Sequence, residues 1–217
     1  MSSGDERQAD EVVREAAQPA PGVFGMSGGS GGTGQRLRRT ARREQILAAA
    51  TRAFARSGYA DTSLEDVAGE ASVTKVILYR HFASKADLYR AALDRACARL
   101  GAAVGAGDYT AGSVDALITV AAADPDGFRL LFQHAAREPE FRQQMDVFRA
   151  GMTLVAYQQL AAEIPDPVWA RWAAQLTPSV VVEAIIAWLD IGQPDREDVA
   201  ERIRQIIGGV TRAAQAH

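Results

Sequence analysis

Apolar residues recur every three or four positions over most of this chain, the repeat of helices that each turn one face to a core. Ile46, Leu47, Ala50, Ala53 and Phe54 form one such stripe and predict a helix from about Leu37 to Ser57. Gly58 follows, where a helix C-terminus favours a left-handed residue. Ser63 with Asp66 three positions on is a box of side chains that satisfies the first free amides of a helix, so a short helix is predicted from Ser63 to about Glu70. A second short helix is predicted from Thr74 to Phe82. A longer one opens with Ser84-Lys85-Ala86-Asp87, a similar box, and runs to about Leu100. After a Gly-rich stretch at 101–112, read as a joint, helices are predicted over 113–123, 125–136, 138–163, 167–191 and 195–214. Pro125, Pro139, the 164–167 stretch and Gln193-Pro194 break them. Pro178 lies inside the fourth, where it either kinks the helix or splits it. Trp169, Trp172, Leu176 and Val180, like Val199, Ile203, Ile206 and Val210, make the last two helices amphipathic. No segment alternates like a strand, so the predicted class is all-α.

Composition adds little until it is divided along the chain. Hydrophobic residues at 47% and charged residues at 24% are ordinary for a soluble protein. No apolar run is read as approaching the roughly 18 residues of a membrane span, and no membrane partner is expected. The polar N-terminus lacks a secretory core, and Cys97 stands alone, so a reducing cytoplasmic setting is expected. Three histidines and one cysteine offer no recognisable zinc site, and neither metal nor cofactor is expected. The net charge of −3 hides an asymmetry. Residues 1–35 carry two basic against five acidic side chains, 36–100 carry 13 against seven, and 101–217 carry nine against 15. One basic module in an otherwise acidic chain points to a polyanion as partner.

The divisions that follow are a disordered tail at 1–35, a basic helix-turn-helix module at 36–83, a connecting helix at 84–104 and a second domain at 105–217. The tail contains Gly29-x-Gly31-x-x-Gly34, but no strand precedes it and no βαβ unit follows, so it is not a dinucleotide fingerprint.

Residues 62–89 carry the most information. Two short capped helices joined by a three- or four-residue turn make a helix-turn-helix. Leu64, Val67, Ala68, Val73, Leu78 and Phe82 would lock the pair against the first helix. Thr74, Lys75, Tyr79 and His81 are left outward, a set able to meet phosphates and base edges in a major groove. Lys85 opposes the dipole of its own helix, at a cost of about 0.3–1 kcal/mol, which makes sense if a phosphate sits there. Lys75 and Lys85 are the only two lysines in the chain. Arg36, Arg38, Arg39, Arg42 and Arg43 cluster at the start of the first helix, placed to follow a DNA backbone or reach a minor groove.

Residues 41–90 resemble the DNA-binding domain of the TetR family. The likeness rests on Phe54-x-x-x-Gly58-Tyr59, the D-T-S-L-x-D-V-A segment at 61–68, and V-T-K-V-I-L-Y-R-H-F-x-S-K-A-D-L-Y at 73–89. The resemblance implies a homodimer on a near-palindromic, double-stranded operator, with an effector-binding second domain. It implies that Ser63, Thr74, Lys75, Tyr79, His81 and Lys85 approach DNA, Tyr79 and Lys85 through phosphate. Thr74, Lys75, Val76 and Ile77 are implied to lie nearest the bases. Two positions depart from the pattern. Ser72 stands where the turn usually has glycine. Val76 and Ile77 replace small or polar residues, to meet thymine methyls or, for Ile77, to pack inward.

The second half shows no catalytic triad, paired-carboxylate motif or phosphate loop, so it is not read as an enzyme. Phe128, Phe132, His134, Met145, Phe148, Met152 and Trp172 are candidates to line a site for a small hydrophobic effector. Leu176, Val180, Ala184, Trp188, Ile203, Ile206 and Val210 are candidates for a four-helix dimer interface. The functional expectation is a transcriptional regulator, a repressor released from DNA by ligand. The alternatives are a regulator of the same fold with no small-molecule inducer, and a helical enzyme or scaffold whose helix-turn-helix is incidental.

Overall fold

The computed structural model describes residues 30–104 and 112–216. Residues 105–111 of the Gly-rich stretch read as a joint at 101–112, and most of the N-terminal tail, lie outside the described residues. Those up to Arg38 form one unit and those from Arg39 onward another. All regular structure among the described residues is helical, as the 3.6-residue repeat predicts.

Helix α1 spans Ser30–Asp61, beginning ahead of the expected Leu37. Its regular course ends at Gly58, whose φ of 76° and ψ of 177° fall in a region open essentially to glycine alone. The glycine signal was correct, although its ψ is extended rather than left-handed helical. Thr62 closes the turn by donating to the Gly58 carbonyl at 2.7 Å.

Helices α2 (Leu64–Glu70), α3 (Lys75–His81) and α4 (Lys85–Val104) follow. One buried cluster joins Ile46, Leu47, Ala50, Ala53 and Phe54 of α1 to Leu64, Val67 and Ala68 of α2, Leu78 of α3, and Phe82, with Val73 packed against it. The same cluster runs on through Leu88, Tyr89, Ala92 and Leu93 of α4 to Leu130, Leu131, Phe141 and Met145. Helix α4 therefore shares one core with the helix-turn-helix and with residues 130–145.

Helix α5 (Gly112–Ala123) leads into α6 (Pro125–Arg129). Where one helix was predicted over 125–136, α6 gives way to a π-helical turn at Leu130–His134 and a 3-10 turn at Ala135–Arg137. A reading that assumes 3.6 residues per turn cannot see this local widening. The helix predicted over 138–163 is trimmed to α7 (Arg142–Leu160). Glu138 is extended (φ −88°, ψ 115°), the conformation that a following proline imposes.

Helix α8 (Pro167–Asp190) runs through Pro178 without splitting, and α9 is Arg196–Gln215. The expectation that no apolar run is long enough for a membrane needs correction. By length and composition α8 qualifies, and half of its apolar window is buried inside the protomer. It packs on α7 and α9, so its apolarity serves a core. Val181, Val182, Ile185, Ile186, Trp188 and Leu189 meet Ala200 and Ile203 of α9 and Ile118 of α5 there.

Candidate nucleic-acid interface

The helix-turn-helix is assembled from local rules, then pinned to α1. Ser63 accepts from the Asp66 amide at 3.1 Å, and Asp66 accepts from the Ser63 amide at 2.8 Å, so both halves of the predicted box exist. The Asp66 carboxyl is held below its usual range chiefly by the Ser63 hydroxyl. At the other end of α2, the Ser72 amide donates to Gly69 at 3.0 Å and the Val73 amide to Ala68 at 2.9 Å. That pair of bonds is a Schellman turn, which demands a left-handed residue in the middle. Ser72 supplies it at φ 51°, doing with a side chain what glycine does more cheaply. Gln45 of α1 donates to the Ala71 carbonyl at 2.8 Å, tying the turn to α1. Arg52 and Arg56 both reach Glu70, at 2.8 and 3.4 Å.

Thr74 then caps α3 by accepting from the Ile77 amide, and Leu78 anchors the helix in the core. Ile77 is half-buried and packs against the same cluster, as the inward alternative expects. Left outward at the N-terminal end of α3 are Thr74, Lys75, Val76 at 62% exposure and Tyr79 at 50%. Ser63 is exposed at the start of α2. His81 is half-buried, and burial first, then Arg39, Arg43 and Arg42, hold its pKa below the ordinary value, keeping it neutral near pH 7. Arg42 donates to Gln45, and the Arg43 guanidinium lies over the Phe82 ring, 5.1 Å from its centroid.

The two lysines are already engaged within the protein. Lys75 forms an ion pair with Glu65 across the turn. Lys85 donates to the Ala60 carbonyl at 3.1 Å and sits 4.6 Å from the Tyr59 ring centroid. The ammonium thus complements the carbonyl end of α1, which offsets its unfavourable place in the first turn of α4. Glu65, Gln45 and Tyr59 were missed because their partners lie 10 to 26 residues away, beyond any periodic pattern.

Residues 46–92 match the family model of bacterial regulatory proteins of the tetR family. Over these residues the chain carries a DNA-binding domain of the TetR type. It is 29% identical over 192 residues to the HTH-type transcriptional activator FasR of Mycolicibacterium smegmatis, covering 83% of this chain and 88% of that protein. It is 32% identical over 93 residues to an HTH-type transcriptional repressor of Streptomyces coelicolor, covering 42% of this chain and 48% of the relative. A TetR-like regulator from Rhodococcus sp. RHA1 shares the fold at a TM-score of 0.66 and 18% identity, over 76% of this chain and 93% of that one. The protein is therefore a transcriptional regulator with a DNA-binding helix-turn-helix of the TetR type and a helical C-terminal domain. Its named relatives include both an activator and a repressor.

In the second half, some of the candidates come together. Phe128 and Phe132 have ring centroids 4.7 Å apart, and Phe148 continues the row at 6.0 Å. Met145 is buried in the first core cluster, and Met152 packs on the second. His134 faces the end of α1, its Nδ1 3.5 Å from where a Cβ on Gly58 would sit. Trp172 stands apart, exposed on α8 and edge-on to Trp169. The cavity reaching Phe128 is about 10 Å³. Among the dimer candidates, Trp188 and Ile203 are buried inside the protomer, and Trp188 donates to the Pro194 carbonyl at 2.8 Å. They are spent on the core of one subunit. Leu176, Val180, Ala184 and Val210 are half-buried and Ile206 is exposed, joined on the surface of α8 by Trp169.

A partly buried ion network links the two halves. Arg95 of α4 pairs with Glu44 of α1 at 3.1 Å and with Asp124 at 3.3 Å, and Arg99 reaches Asp124 at 2.7 Å. Asp124 also caps α6 by accepting from the Gly127 amide at 3.1 Å.

Proposed function

We propose that this protein binds a near-palindromic operator as a homodimer in the cytoplasm and represses transcription until a small hydrophobic ligand releases it. The carrying observation is the division of α3 into an inner side, buried Leu78 and half-buried Ile77, and an exposed N-terminal end bearing Thr74, Lys75, Val76 and Tyr79. A helix anchored from behind and furnished with donors in front suits a major groove. Ser63, Arg42, His81 and Lys85 flank it as candidates for the DNA backbone. Residues 36–83 serve as the DNA-binding module, 84–104 as connecting helix, and 105–217 for ligand and dimer contacts. Exposed Trp169, Trp172 and Ile206 on α8 and α9 favour dimerisation through these helices, which would space two recognition helices about 34–36 Å apart.

Selection of duplexes from a random library by the purified chain tests the reading. Enrichment of an inverted repeat, with binding weakened by Lys75→Ala and Tyr79→Phe, supports it. A folded dimer that enriches nothing overturns it.

A second reading has its own observation. Ligand sites measure about 300–1,000 Å³, whereas the cavity beside Phe128 has about 10 Å³, room for one water. That closed packing around the Phe128 row favours a regulator with no inducer at this place, whereas a cleft of about 300 Å³ opens beside Trp169, Ala214 and Gln215. Release of the selected duplex by hydrophobic compounds, lost in Phe132→Ala, would decide for the ligand.

A further inference from the structure

The recognition helix begins with a lysine that already has a partner. Lys75 is the first residue of α3, and its ammonium is ion-paired with Glu65 on α2. The contact raises the pKa of Lys75 and lowers that of Glu65, in each case chiefly through this hydrogen bond. The fold does not require the pair. The start of α2 is satisfied by Ser63 and Asp66, and α2 is tied to α1 through Glu70 and the Ala71 carbonyl. Both partners are exposed, and exposed pairs add little to stability. The pair nevertheless stands at the end of α3 that also presents Val76 and Tyr79, and it puts a carboxylate where a polyanion is expected.

We infer that Glu65 is a specificity-determining residue, holding the Lys75 ammonium as a reader of base edges instead of a clamp on the nearest phosphate. This rests on the DNA-binding reading above. An ammonium has three N–H donors, so one spent on Glu65 leaves two for O6 and N7 of a guanine. To neutralise a phosphate, the same ammonium must leave Glu65, which then faces the backbone as an unpaired anion. A duplex that offers only phosphates meets that penalty in full. A site with guanine at the matching step does not. Glu65 therefore weakens non-specific binding more than specific binding, which is how repulsion sharpens discrimination.

The test uses the full chain, Glu65→Gln, Lys75→Ala and the double variant. Gln keeps the side-chain length, and the Ser63–Asp66 box is untouched, so thermal melts should show all four folded. Fluorescence anisotropy is measured against salt, on a duplex selected by the wild-type chain and on its scrambled counterpart. Glu65→Gln should bind the scrambled duplex roughly two- to fivefold tighter, with a log–log salt slope steeper by about 0.9, one added phosphate contact. The gain on the selected duplex should be smaller, so the specificity ratio falls. In the Lys75→Ala background the gain should vanish. An unchanged ratio and slope in Glu65→Gln would overturn the inference, and so would an equal gain without Lys75, since Glu65 would then act as bulk charge. If the wild-type chain selects no duplex at all, the DNA-binding reading itself fails.

Discussion

The protein builds the same helix ending twice with different residues in the critical place. At the end of α8, the Gly192 amide donates to Leu189 and the Gln193 amide to Trp188, with Gly192 at φ 90°. At the end of α2, Ser72 takes the equivalent position at φ 51°. A left-handed conformation costs an L-residue about 1–2 kcal/mol. Glycine avoids that cost but loses more freedom on folding, about 0.5–1 kcal/mol relative to alanine. Ser72 is exposed, and the bonds of the turn come from its backbone, so Ser72→Gly removes strain without removing a contact. The net expectation is a gain of about 0.5–1 kcal/mol, or about 1–4 °C in Tm for a chain of this size. Urea denaturation of the Gly, Asn, wild-type Ser and Val forms should rank them in that order, because asparagine tolerates this region and a β-branched residue does not. Affinity for a selected duplex should be nearly unchanged in the Gly form. A Ser72→Gly protein less stable than wild type, or a Val form equal to it, would refute the reasoning.

Other perturbations follow from the same contacts. The Tyr89 hydroxyl is buried with no hydrogen-bond partner among the described residues, while its ring packs on Phe54 and Phe141 at 4.8 and 4.5 Å. Tyr89→Phe should therefore raise the urea midpoint by the equivalent of about 1 kcal/mol, and a loss would show a hidden partner. Asp124→Ala removes the α6 cap and leaves Arg95, only 12% exposed, with Glu44 alone. It should destabilise by about 2 kcal/mol, measured by the same melts, whereas a change under about 0.5 kcal/mol would mean that the network carries little. His81 has a native pKa below 6.5, so as pH falls the unfolded chain takes up this proton first. Its contribution is intact above about pH 6.5 and declines as pH drops towards the native value. His81→Gln should flatten the stability profile below about pH 6.5, and an unchanged slope would assign the effect to another group.

Much of the helix-turn-helix was legible in the sequence because its signals act over three or four residues. The Ser63–Asp66 box, the Thr74 cap, the stop at Gly58 and the side chain forced into the Ser72 turn are local chemistry, and each is present where the residues placed it. The core face was legible too, since Leu64, Val67, Leu78 and Phe82 repeat with the period of a helix. What an apolar residue meets is a different question. Trp188 and Ile203 carry the same stripe whether it faces a partner subunit or the rest of the protomer, and only packing against α5 showed that they are buried inside one chain.

The sequence alone determined a helical class, the caps of the two short helices, a basic module and a TetR-like helix-turn-helix. These rest on interactions between near neighbours, which backbone geometry makes unavoidable. Tertiary structure alone decided that Ile77 turns inward, that Lys75 meets Glu65 and Lys85 the end of α1, and that the helix after Pro125 widens at 130–134. Such choices depend on charges and surfaces brought together from distant parts of the chain, where no spacing rule reaches.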